Sequence, residues 1–129
     1  MPNYNYTHTT GEIIDFRLTA TRTIELEKKH CKSVYELMRD FDKLSIAFDI
    51  VAAALKEGTE DERYSKAVLI YEELVESGKA LIDYQLLIMD ILCTGGFIPA
   101  DRVILYKQLV ETQNAVLTAT GAEPEKKGE

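Results

Sequence analysis

The chain has 129 residues, 46% of them hydrophobic and 29% charged, with three prolines, seven glycines and no tryptophan. That length lets a single domain bury roughly two-thirds of the surface its unfolded form exposes, so fibrous, collagen-like and disulfide-framework classes are excluded. Fifteen Lys and Arg against 22 Asp and Glu give a net charge of −7, which disfavours nucleic-acid binding because that rests on basic side chains neutralising phosphates.

The N-terminal stretch Tyr4 to His8 alternates aromatic or imidazole rings with polar residues, and Ile14, Phe16 and Leu18 alternate with Asp15 and Arg17. Both runs have the period of a strand, and Thr9 to Glu12 supplies a turn between them, so the spacing predicts a β-hairpin over about 4–18. An isolated hairpin is marginal in water, so its Ile14, Phe16 and Leu18 face is expected to pack on helices.

From Thr19 the period changes. Residues 21–30 are rich in helix formers, with Glu25 four residues before Lys29. Ser33 and Glu36 form a capping-box pair ahead of a short helix over about 33–40. Leu44, Ala47, Phe48, Val51 and Leu55 share one face of a third helix that ends near Gly58. Thr59 caps a fourth, with acidic residues 60–62 in its first turn and Ser77-Gly78 at its end. The run from Ala80 to Leu92 is apolar around most of its circumference and is expected to be the central helix. Gly95-Gly96 makes a turn, Pro99 opens a last helix to about Thr118, and residues 119–129 are expected to form a flexible tail.

No metal, nucleotide or catalytic motif emerges from the residues. His8 and His30 stand outside any motif; His30 reads as a cation at a helix C-terminus, and Cys31 as a small buried apolar residue. An EF-hand begun at Asp40 fails on Leu44, Ser45 and Val51, which stand where oxygen ligand, glycine and glutamate are needed. Asp83 and Asp90, seven apart, share a helix face and read as a polar stripe toward solvent or a partner. Cys31 and Cys93 lie outside any CxxC pair, which fits a reducing compartment. The N-terminus lacks the basic flank and apolar run of a signal peptide, and the most apolar stretch is too short to span a bilayer.

The segment from Ile14 to Lys29, including Arg17-Leu18-Thr19 and Glu25-Leu26-Glu27-Lys28-Lys29, is followed by Lys32-Ser33-Val34-Tyr35-Glu36-Leu37 and later by Phe48 to Leu55. This order resembles the tail assembly chaperones of long-tailed, siphovirus-like phages and prophages of Gram-positive bacteria, over roughly the first half of the chain. The resemblance implies a non-catalytic protein, without cofactor, that holds the tape measure protein in solution while the tail tube assembles. It also implies action in the bacterial host cytoplasm, absence from the mature virion, and contact with the major tail tube protein. Such phages often make an elongated chaperone by ribosomal frameshifting, and Glu125-Lys126-Lys127 is compatible with a slippery codon run.

The sequence thus predicts a mainly α protein with a minor β component: one domain over 1–118, built of an N-terminal hairpin on five to six helices. Leu86, Met89, Phe97 and Ile98 are the candidate partner-binding residues, for a client helix or for self-association into a homo-oligomer. A competing reading is a small acidic regulatory or toxin-neutralising protein. An enzyme would need Tyr71, Tyr84, Asp83 and His30 to converge on a pocket.

Overall fold

The computed structural model describes residues 3–120, with side chains for 3–109 and 111. Within them lie a two-stranded antiparallel hairpin and six helices: β1 (Tyr4–Thr7), β2 (Ile13–Phe16), α1 (Ala20–His30), α2 (Val34–Arg39), α3 (Leu44–Ala54), α4 (Glu60–Glu76), α5 (Leu81–Thr94) and α6 (Ala100–Thr120). The protein is mainly helical with a short N-terminal hairpin, as its periodicities predict. The chain divides into two compact units between Ile98 and Pro99, and α6 forms the second. The tail expected over 119–129 lies, from residue 121 on, outside the described residues.

Alternation along β2 does what the hairpin needs. Tyr4 pairs with Phe16 and Tyr6 with Ile14, and the Ile14, Phe16 and Leu18 side chains are buried in the helical core. The hairpin continues into the helical body through its backbone, because Arg17 N–H donates to the Ala54 carbonyl at 2.8 Å. Polar side chains fasten it elsewhere: Tyr4 Oη donates to the Asp90 carboxylate at 3.1 Å, and Lys66 Nζ meets Glu12 at 2.8 Å.

Local signals set the helix ends. Thr19 Oγ1 accepts from Arg22 N–H at the start of α1. Ser33 with Glu36 and Thr59 with Glu62 complete reciprocal capping boxes at α2 and α4, satisfying N–H groups left over in a first turn. Asp83 has the same task on α5, where its carboxylate accepts from Ala80 N–H at 2.9 Å. Helix α1 ends on Cys31, whose φ of 55° is left-handed and unusual for a residue with a Cβ. The cysteine is exposed, not buried as its chemistry suggests, because the turn and not the core fixes its place.

The central helix is α3 and not α5. Eight of its eleven residues are buried, and it packs against α1, α4 and α5. The expectation favoured α5 for its longer apolar run, yet six of its fourteen residues are buried. Small side chains decide the matter: Ala47, Ala52, Ala53 and Ala54 let neighbouring helices approach α3 closely. Beside them an edge-on aromatic cluster forms around Phe48, whose ring lies 5.8–5.9 Å from those of Tyr64, Tyr71 and Tyr84.

Candidate functional site

Helix α3 carries one charge into the core, Asp49, and an unpaired buried carboxylate is costly. The last turn of α1 supplies its partners. Lys29 Nζ donates to one carboxylate oxygen at 3.0 Å, and His30 Nε2 lies 2.9 Å from the other. The hydrogen bond that Lys29 donates to Asp49 holds its ammonium pKa above the ordinary value, against a smaller opposing cost of burial. Lys29 also lies 5.9 Å from the centre of the Tyr64 ring.

Around this cluster α1, α3 and α4 leave a half-open cleft of about 660 Å³. Its floor is Leu26, Ala52 and Ala53, and its walls carry Arg22, Glu25, Lys28, Glu60, Asp61 and Arg63. These charges balance, and several are already engaged in structure. Arg22 donates from one guanidinium nitrogen to the carbonyls of Ala53 and Leu55, at 3.2 and 3.0 Å, and so caps the C-terminus of α3 from a different helix. Arg63 donates to the Gly58 carbonyl.

His8 is the second buried titratable group. Its Nε2 lies 2.8 Å from Glu73 and its Nδ1 3.1 Å from Tyr6 Oη. An ionised carboxylate only accepts, so in the neutral imidazole Nε2 carries the proton and Nδ1 accepts from Tyr6. This arrangement joins the end of β1 to α4. Tyr6 is also held above its ordinary pKa, first by burial and then by the nearby charge of Asp83.

The residues singled out in the sequence are dispersed by these pairings. Tyr71 and Tyr84 do meet, with ring centres 5.3 Å apart, but Tyr84 Oη donates to the Ala67 carbonyl inside the core. Asp83 caps α5 and His30 holds Asp49, so each of the four has a structural task. The stripe of Asp83 and Asp90, expected to face solvent or a partner, is engaged within the fold, Asp90 by Tyr4 of β1 and Asp83 by the start of α5. Among the candidate partner-binding residues, Met89 is buried, Leu86 is half-buried on α5, and Phe97 and Ile98 are half-buried against the core. The Phe97 ring lies over Gly95, where an added Cβ would stand 3.2 Å from it.

Sequence reasoning missed the Asp49 cluster, although a signal was present: one carboxylate within Phe48 to Leu55 demands a cation from elsewhere. Among the described residues, no group of three or more His, Cys, Asp or Glu is placed to hold a metal ion, and no helix is long and apolar enough to cross a membrane. Compared with models of known protein families, with curated proteins and with solved structures, the chain matches none.

Proposed function

We propose that the protein is a non-catalytic tail assembly chaperone that binds a phage tape measure protein and keeps it in solution while the tail tube polymerises. The observation that carries this reading is the order of signals in the first half of the chain: strand, Arg17-Leu18-Thr19, a helix bearing Glu25 to Lys29, the Lys32-Ser33 turn and a short helix. Each part of that order has a structural task, since Leu18 fills the core, Thr19 caps α1 and Ser33 caps α2. The surface supports a binding role as well. Shielding a client's apolar helices takes exposed apolar side chains on a charged, well-dispersed body, and Leu69, Val75, Ile104, Leu105 and Leu109 are exposed in a chain of net charge −7.

On this reading the protein acts in the host cytoplasm and leaves before the virion is complete. Sedimentation with purified tape measure fragments tests it. A faster-sedimenting complex is expected, and a strict monomer unchanged by any fragment would contradict the proposal in favour of a small acidic regulatory or toxin-neutralising protein.

A further inference from the structure

We infer that the outward face of α4 is a docking surface for a basic amphipathic helix. The inference rests on the binding reading above and adds the chemistry of the partner. Ala67, Ile70 and Leu74 turn α4 toward the core. On the opposite side Ser65, Val68, Glu72 and Val75 recur at intervals of three, four and three residues. That alternation aligns side chains into one seam of the kind a second helix packs against. Leu69 and Glu76 flank the seam, and Leu69 and Val75 are 44% and 47% exposed.

The charges on this face are of one sign. Glu72 and Glu76 are exposed and have no ion-pair or hydrogen-bond partner among the described residues. The two cations of α4 are engaged off the seam, Lys66 with Glu12 and Arg63 with the Gly58 carbonyl. Glu72 and Glu76 are four residues apart, a like-charge pair that disfavours the helix. They also lie toward its C-terminus, where the helix dipole is negative and the last turn has no basic residue. Taken alone, α4 is electrostatically frustrated.

A helix with apolar residues at three-four spacing and flanking lysines or arginines relieves both problems, covering Val68, Leu69 and Val75 while neutralising the glutamates. A second copy of this chain does not, because it brings the same acidic seam and another net charge of −7.

The test uses the full chain and three labelled peptides of about 20 residues, long enough to form a helix. The first has leucines at three-four spacing flanked by lysines; the second has glutamate for every lysine; the third has the first one's composition scrambled so that no apolar face forms. Fluorescence anisotropy at about 0.15 M salt, where long-range charge is screened, reads the binding. Saturable binding of the first peptide is expected, with binding of the other two weaker by about tenfold or more. Glu72→Lys with Glu76→Lys, and separately Leu69→Ser with Val75→Ser, are expected to weaken it by about tenfold as well. Asp15→Lys with Glu57→Lys makes the same charge change at exposed positions off α4 and is expected to leave binding within about twofold. The Glu72 and Glu76 variant exchanges a pair of glutamates for a pair of lysines, whose sign suits the negative end of the helix dipole, so its thermal midpoint is expected to hold or rise, which separates lost binding from lost folding.

Equal binding of the scrambled peptide, or equal losses in the two charge variants, would overturn the docking face. So would tape measure co-purification undiminished by Glu72→Lys with Glu76→Lys, though the chaperone reading would then stand. Peptide binding that depends on α4, without tape measure co-purification, would uphold the face and overturn that reading.

Discussion

At Cys31 a single dihedral decides the side chain's surroundings. With φ 55° and ψ 39° it holds the left-handed position that ends α1, and Lys32 N–H beyond it reaches back to the Glu27 carbonyl at 3.2 Å. Glycine takes that conformation without a Cβ penalty, so Cys31→Gly is expected to stabilise the fold by about 0.5–1 kcal/mol, read as a higher urea midpoint. A lower midpoint would contradict the assignment. The sequence hides this feature because cysteine is among the residues most often buried, and nothing in its neighbours marks a left-handed turn. Tyrosine gives a pH dependence. Burial first, and then neighbouring charge, raise the phenol pKa values of Tyr4 and Tyr84 above the ordinary value near 10, with Asp90 the neighbour of Tyr4. Below that pH both folded and unfolded chains are protonated, and the contribution is fully present. Above it the unfolded chain ionises first, so stability falls as pH rises. Urea denaturation between about pH 8 and 11 should show that fall, and Tyr4→Phe should make it shallower, at a cost of about 1 kcal/mol near neutrality for the lost Asp90 bond. An equally steep fall in the variant would contradict the account.

At the scale of elements, α3 depends on α1 for its end. It has no basic residue in its last turn, and Arg22 supplies the cation from outside, on the carbonyls of Ala53 and Leu55. Arg22→Met is expected to destabilise the protein by about 1–3 kcal/mol, and Arg22→Lys to recover only part of that, because an ammonium lacks the guanidinium's planar fork. Chemical denaturation of both variants checks the order, and a fully stable Arg22→Met would remove the capping role. Helix α4 also lacks a basic residue in its last turn and carries Glu76 there, so Glu76→Lys is expected to stabilise by about 0.3–1 kcal/mol. Capped helix starts were legible within a residue or two because caps are local chemistry, as Ser33 with Glu36 and Thr59 with Glu62 act inside a single turn, whereas the end of α3, expected near Gly58, falls at Ala54. The identity of the central helix was not legible. Apolar content favours α5, but alanines that allow close approach place α3 in the middle, and close approach is a property of neighbours.

For the whole molecule, what the sequence concealed are pairings across long separations. His8 meets Glu73 65 residues away, and Tyr4 meets Asp90 86 residues away. Neither has a spacing rule, because each depends on where the hairpin settles against α4 and α5. The candidate binding residues illustrate the same limit. Phe97 and Ile98 read as partner contacts, and in the structure both pack half-buried against the core beside the turn at Gly95-Gly96. Leu69 and Val75, by contrast, are exposed on α4. The central claim is that this surface serves a helical client. Co-expression with the protein encoded just downstream tests it most directly: a long helical tape measure protein should stay soluble and co-purify only when this chain is present. Aggregation of that protein regardless of this chain would contradict the account.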